Sequence, residues 1–301
     1  MLMTLLIILL AIILMQIWAY DNPLHRDSWL YTFARNTASA LPIRLYPFVH
    51  LALAFVIALV VSLFIAWVAS FSKFLAFPLV VVVLIFSCGR YNFTDTLHDY
   101  FIALKHGDED SKKEIFSKLF QTAPAPTVQD AESATDSEVG NDTVALPENA
   151  NDKVFDELAV RGFERYFTAI FWFFVGGVFL TLLYRLVALF AEFEAGQHQH
   201  GESDKPVIDT TMTQHAQRLM AWPASRLLHL SMLLAGNFRK AYDDVLESLA
   251  SSRPAFQTVP AIAREAGEVG EVQPDDFIGL KTLLKICLGI WLALIALIVI
   301  L

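Results

Sequence analysis

The stretch FWFFVGGVFLTLLYRLVALF, residues 171 to 190, is almost wholly apolar, yet it has a Gly-Gly pair in its middle and an arginine near its end. A helix that crosses a bilayer needs roughly 20 apolar residues in a row. The apolar run therefore predicts a membrane span over residues 167–190. Gly176 and Gly177 leave a second topology open, in which two half-helices enter and leave from the same side of the membrane.

Further apolar segments predict an all-α fold, a polytopic transmembrane helix bundle with juxtamembrane amphipathic helices. Hydrophobic residues make up 55% of the 301 positions and charged residues 18%, and the mean hydropathy is +0.50. These values exceed what one soluble core requires. Residues 1–19 lack the basic start of a signal peptide and are expected to remain as an anchor. The other predicted spans are residues 46–71, 74–88, 219–235 and 281–301.

Composition divides the chain into membrane regions at residues 1–106 and 157–301, separated by an acidic stretch at 107–156. That stretch holds too few apolar residues to fold by itself and is expected to be a flexible loop, open to partner contacts. Near its start, Ile115, Phe116, Leu119 and Phe120 form a short amphipathic patch. Residues 237–250 repeat apolar side chains at helical spacing, which predicts an amphipathic helix on a membrane or protein surface.

The distribution of Lys and Arg predicts how the spans are oriented, because basic residues near span ends mark the cytoplasmic side. With six spans and an external N-terminus, most basic residues fall inside. Only Lys73, Lys205 and Arg218 fall outside. Without a span at 219–235, the last basic cluster would move outside. The bias therefore favours an even number of crossings in a multi-pass protein.

Arg185 has two interpretations. Along a straight helix at about 1.5 Å per residue it lies about 27 Å from Phe167, near the far interface, where a long side chain can reach water. Alternatively, it faces a polar cavity and holds an anionic partner, with Arg226 as its companion. The second interpretation is favoured because Arg226 lies about two turns inside its apolar segment, where it has less room to reach water.

Other motifs carry little chemistry. Asp95, His98 and Asp99 share one helix face and could bind a divalent cation, although a solvated face is the better interpretation. The sequence has no phosphate-binding loop, no dinucleotide-binding turn and no nucleophile or metalloprotease motif. No basic stripe with interleaved aromatic residues indicates a nucleic-acid partner. No resident cofactor is therefore expected.

Two stretches together resemble a known membrane family. They are RGFERYFTAIFWFFVGGVFLTLLYRLV (161–187) and RLMAWPASRLLHLSMLLAGNFRKA (218–241). Their Phe-Trp pair, Gly-Gly pair, Tyr-Arg pair and Trp-Pro-x-x-Arg run have the spacings of the family that contains AmpE and the adenosylcobinamide-phosphate synthases of the CobD/CbiB type. Residues 21–30, DNPLHRDSWL, resemble the loop that follows the first anchor in AmpE proteins.

The chain departs from the synthases after Arg185. Where they have Asn-Thr-x-Asp-Ser-Met, residues 186–191 are apolar and can neither bind metal nor transfer protons. The resemblance therefore implies an AmpE-like regulator of the bacterial inner membrane, linked to cell-wall metabolism and β-lactamase induction, with an AmpD-like amidase as partner. The alternative is a membrane enzyme of the CobD/CbiB type that ligates or transfers a phosphorylated small molecule with Mg²⁺.

For the site, the resemblance implies an anionic-ligand pocket without synthase activity. Its ligand is expected to carry a phosphate or a carboxylate. The candidate ligand-binding residues are those kept from the enzyme frame and its neighbourhood, Glu164, Arg165, Tyr184, Arg185, Trp222 and Arg226.

Overall fold

A computed structural model describes residues 2–17, 46–88, 93–120, 147, 149–199 and 211–301, and all regular elements in these ranges are helical. The predicted all-α class is confirmed. Residues 21–30 of the resemblance and residues 121–146 of the acidic stretch lie outside the described residues. The helices are α1 Leu2–Ile17, α2 Tyr46–Phe71, α3 Lys73–Ser87, α4 Phe93–His106, α5 Glu109–Phe120, α6 Ala150–Gly162, α7 Ala169–Gln199, α8 Thr211–Ala235, α9 Phe238–Ala250, α10 Ala255–Gly267 and α11 Pro274–Ile300.

Three stretches of described helix are long and apolar enough to cross a bilayer: Phe48–Phe71, Ala150–Glu194 and Pro274–Ile300. The first keeps large apolar side chains exposed along its length, including Leu63 at 60%. Apolar surface on this scale is stable against lipid rather than water. The chain is therefore a membrane protein. Helices α1 and α3 are apolar but shorter, and α8 is not among the stretches that meet the length and hydropathy required.

The stretch Ala150–Glu194 is not straight, because the chain turns back at its two glycines. Gly176 and Gly177 both leave the helical conformation. Glu164 and Glu192 line one cavity, although a straight helix at 1.5 Å per residue would separate them by about 42 Å. The charge of Arg185 also acts on Glu164. The chain therefore forms two antiparallel half-helices, which we call the hairpin, with residues 163–168 and 184–194 at its base.

Steric constraints explain why both positions of the turn are glycine. Gly177 has φ 61° and ψ −148°, a backbone conformation that residues with a Cβ atom avoid. A Cβ atom on Gly176 would overlap the Leu180 side chain, which folds over the turn. The structure thus has the chain reversal that the second of the two topologies left open by the sequence requires.

The hairpin turns before α2 ends. Its second half packs on α2 through a cluster that contains Ala54, Ala58 and Leu186, and Val61 is the last α2 residue in that cluster. Helix α2 continues to Phe71, which adds about 15 Å at 1.5 Å per residue. The turn therefore lies between the two ends of α2, as expected of a re-entrant segment.

Polar helices gather at the base of the hairpin, in a group that we call the cap: α4, α5, α6, α9 and α10. Arg264 of α10 donates hydrogen bonds of 2.8 Å to Asp152 and Asp156 of α6. Arg161 of α6 donates to the Leu119 carbonyl at the end of α5. The expected flexible loop at 107–156 is thus partly helical at both ends, because burial and ion pairing there outweigh its acidic composition.

Candidate functional site

The hairpin brings Arg165 and Arg185 to the same part of its base. The two side chains are 8% and 9% exposed. Both charges act on the buried thiol of Cys88, at the end of α3. Arg165 belongs to a π-helical stretch, Phe163–Thr168, which joins α6 to α7, and such irregular turns are frequent at functional sites. Two positive charges distant in sequence therefore converge on one buried region.

Arg165 lacks an acidic counterpart among the described residues. Its guanidinium carbon lies 5.4 Å from the centroid of the Tyr166 ring. Its Nε atom is buried and has no hydrogen-bond partner in the parts of the chain that the structure describes. A buried charge is costly unless it is paired and hydrogen-bonded. The environment of Arg165 therefore favours an anion from outside the described chain.

Two buried hydroxyl groups face each other across the base of the hairpin. Thr168 is 0% exposed and Tyr184 is 2% exposed. Their side chains lie close together, but neither oxygen meets hydrogen-bond geometry with a described residue. Leaving such a group unsatisfied costs about 1–3 kcal/mol. Together with Arg165 and Arg185 these hydroxyls form the arginine chamber, a set of hydrogen-bond donors suited to an anion.

Glu164 lies at the same level but on the other side of the hairpin. It lines a cavity of about 260 Å³ with Glu192, Gln217 and Arg218. Nε2 of Gln217 donates a hydrogen bond of 3.2 Å to Oε1 of Glu164. The predicted site residues Glu164, Arg165, Tyr184 and Arg185 are thus brought together at the base, with the carboxylate facing α8.

Arg226 and Trp222 have a separate environment, which corrects the prediction that Arg226 accompanies Arg185. Nη2 of Arg226 donates hydrogen bonds of 2.9 Å to the carbonyl oxygens of Ser251 and Arg253. Its guanidinium carbon also lies 5.3 Å from the Trp222 ring. These contacts fasten α8 to the connection between α9 and α10, so they give Arg226 a structural role.

The three residues considered for a cation lie on α4. His98 and Asp99 are exposed, and the charge of Asp95 acts on Lys281 of α11. No group of three or more His, Cys, Asp and Glu able to hold a metal ion occurs among the residues that the structure describes.

Sequence reasoning missed a buried polar cluster that joins three elements. Nδ1 of His50 on α2 lies 2.6 Å from Oε1 of Glu194 at the end of the hairpin. The other oxygen of Glu194 accepts a hydrogen bond from Thr213 of α8, and the His50 ring stacks on Phe190. The available signal was His50 itself, an ionisable residue inside a predicted span.

Comparisons of the chain with family models, with curated proteins and with solved structures found no match.

Proposed function

We propose that this membrane protein is a receptor that binds an anionic small molecule in the arginine chamber without converting it. The observation that carries the proposal is the buried guanidinium of Arg165, which has no carboxylate partner among the described residues. Guanidinium groups are well suited to phosphate and carboxylate because their donors match the oxygens of these anions. The ligand therefore carries one of these two groups.

The surroundings of the chamber support binding rather than catalysis. Residues Leu186, Val187 and Ala188, which follow Arg185, are buried and apolar. They offer neither a metal ligand nor a group that transfers protons. The nearest described carboxylate of the predicted site, Glu164, lines the cavity on the α8 side.

The arrangement of charges supports a multi-pass protein of the bacterial inner membrane with the cap in the cytoplasm. Apart from Lys73, the Lys and Arg residues of the described chain lie in the cap, at the hairpin base, on α8, or in the first turns of α11. Lys73 follows the turn between α2 and α3, where Trp67, Phe71 and Phe74 are exposed. Aromatic residues favour membrane interfaces, and basic residues favour the cytoplasm.

The resemblance of residues 161–187 and 218–241 to AmpE proteins supports a regulatory role in cell-wall metabolism and β-lactamase induction. An AmpD-like amidase is then the expected partner, and the cytoplasmic cap offers it an accessible surface. Cells that lack the protein should lose part of their β-lactamase induction, and restoring the wild-type gene but not Arg165→Gln should recover it. If the variant restored induction as well as the wild type, the arginine chamber would have no part in this role.

The ligand site is tested by native mass spectrometry of the protein extracted with its own lipids. An anionic metabolite should accompany the wild type and be lost in Arg165→Gln and in Arg185→Gln. Arg253→Gln is the matched control, because Arg253 is exposed between α9 and α10 and pairs with Glu247 away from the hairpin. A wild type that carries only bulk phospholipid, unchanged in the variants, would contradict the proposal.

The CobD/CbiB-like enzyme remains the second candidate, favoured by one observation. Glu164 and Glu192 share a cavity beside Arg185, and paired carboxylates can hold Mg²⁺ together with a phosphorylated substrate. Such an enzyme would turn over its substrate only with Mg²⁺ and would lose activity in Glu164→Gln. Binding without Mg²⁺-dependent turnover is the result expected of the receptor.

A further inference from the structure

Helix α9 folds back along α8, so these two helices form a second antiparallel pair. Nδ1 of His229 on α8 lies 3.0 Å from Oγ of Ser248 on α9. Arg226, one turn before His229, donates to the carbonyl of Ser251, just beyond the end of α9. Helix α10 packs against both members of the pair.

The side of the pair that stays exposed is apolar. The exposed residues recur at i, i+3 and i+7 on α8 and at i, i+4 and i+8 on α9, so each set forms one stripe along its helix. Leu234 is 69% exposed and Phe238 is 54% exposed. We call this surface the apolar face, formed by Leu227, Leu230, Leu234, Phe238, Tyr242 and Leu246.

Polar side chains are buried on the opposite side of the same helices. Arg226 is 5% exposed, and Ser225 and His229 are fully buried. A helix pair that buries polar side chains and exposes a continuous apolar surface is stable where that surface meets lipid rather than water. The distribution of polarity therefore indicates a bilayer against the apolar face.

The charges of α9 limit how deeply the pair enters the bilayer. Asp244 and Glu247 line a groove of about 440 Å³ between α9 and α10, away from the apolar face. A charged side chain at the bilayer centre costs about 2.5–3.5 kcal/mol on insertion scales and more in simulations. Because α8 packs along α9, both helices must remain near the surface.

We propose that the apolar face holds α8 and α9 in the plane of the bilayer surface, on the side of the cap, instead of letting α8 cross. The exposed Arg239 flanks the apolar stripe of α9, where a basic side chain meets anionic lipid headgroups. Segment 219–235 is then an interfacial helix, and the crossing predicted for it does not exist.

Continuity of the surface identifies lipid as the occupant. The exposed stripe of α8 extends toward its N-terminus through Leu219, which is 75% exposed. In that direction α8 packs against α2 and the hairpin, both of which include stretches apolar enough to cross a bilayer. The apolar face therefore joins the surface that these elements present to lipid.

Spin labels on single cysteines test the proposal in the full-length protein. Leu230→Cys and Leu246→Cys place labels on the apolar face, and Asp244→Cys is the matched control on the groove side of α9. Cys88 and Cys287 are buried and are replaced by alanine beforehand. The protein is reconstituted in vesicles of phosphatidylethanolamine with a minority of phosphatidylglycerol. Collision rates are measured with oxygen, which enters the bilayer, and with a water-soluble nickel chelate.

The labels at 230 and 246 should collide mainly with oxygen and lie about 5–10 Å into the headgroup and acyl boundary. The label at 244 should collide mainly with the nickel chelate. A label at 230 located at the bilayer centre would overturn the proposal, because α8 would then cross. Labels at 230 and 246 shielded from both reagents would also overturn it, since a second copy or another protein would then cover the face.

Discussion

Arg185 lies at the base of the hairpin, although it belongs to an apolar run, because the chain reverses at Gly176 and Gly177. The hairpin returns it to the level of Glu164, whose carboxylate it influences. The sequence-based alternative, a side chain that reaches water at the far interface, assumed a straight helix. The burial of Arg185, at 9% exposure, agrees with the interpretation that it faces an internal polar site.

At the residue scale, replacing His50 is predicted to destabilise the protein. His50→Phe keeps a ring against Phe190 but removes a hydrogen-bonding partner of the buried Glu194 carboxylate. Removing one partner of a buried pair costs about 3–5 kcal/mol. Denaturant titration in detergent should show that the free energy of unfolding falls by this amount.

The matched control for that substitution is His98→Phe. His98 is exposed on α4, and exposed positions usually tolerate substitution within about 0.5 kcal/mol. An equal and small effect at both histidines would mean that the contact between His50 and Glu194 contributes little to stability.

At the element scale, the hairpin depends on its turn. Gly177→Ala introduces a Cβ atom where φ is 61° and ψ is −148°, and such strain costs about 1–3 kcal/mol. The melting temperature should fall, and any anionic ligand seen by native mass spectrometry should be lost at the same time.

Gly289→Ala is the control for the glycine substitution. Gly289 lies inside α11, and a Cβ atom there would have no neighbour within 4 Å. Since alanine favours helix over glycine by up to about 1 kcal/mol, this variant should be as stable as the wild type or slightly more stable. If Gly177→Ala behaved in the same way, the turn would not have the conformation described.

The start of α9 is predicted to respond to pH through Glu268. Hydrogen bonds from Asn237 and then from Lys240 lower the pKa of Glu268 below its ordinary value. Because the pKa is lower in the folded protein, the stabilisation is present above the unfolded pKa and is lost as the pH falls through the folded pKa. Asn237 also caps α9 by accepting from the backbone of Arg239 and Lys240.

The measurement compares melting temperatures of the wild type and Glu268→Gln over a range of acidic to neutral pH. The wild type should be the more stable protein near neutrality, and the difference should shrink as the pH falls. A difference that stays constant with pH would show that the carboxylate charge of Glu268 does not stabilise the contact.

At the scale of the whole molecule, the proposed orientation puts the cap and the turn between α2 and α3 on opposite sides of the membrane. In intact cells, a membrane-impermeant thiol reagent should modify Ser72→Cys but not Asp243→Cys, with both native cysteines replaced by alanine. Both positions should react after the membrane is permeabilised. Reaction of Asp243→Cys in intact cells would contradict a cytoplasmic cap.

Patterns that are local in sequence predicted much of this architecture. Apolar length indicated the membrane helices, and the two glycines indicated a break. The amphipathic pattern of residues 237–250 indicated α9. The helices at the two ends of the acidic stretch were harder to predict, because charged residues outnumber the few apolar residues of α5 and α6. Partners distant in sequence, such as Arg264, stabilise them in the folded protein.

Contacts between distant parts of the chain were not predictable from local patterns. Thr168 follows Arg165 by one turn, but nothing in the sequence showed that Tyr184 would lie opposite it. Arg226 was grouped with Arg185 because both are arginines in apolar elements. The partners of Arg226 depend on the direction in which α9 folds back along α8. Spacing along the chain does not show that direction.

The reversal of the chain at Gly176 and Gly177 brings the residues of the arginine chamber together. The most direct measurement is the distance between spin labels at Glu164→Cys and Glu192→Cys in the reconstituted protein, by pulsed electron spin resonance. A chain that reverses should give one dominant distance, less than half of the roughly 42 Å that a straight helix would give. A distance near that longer value would show that the segment does not reverse and would remove the structural basis of the site.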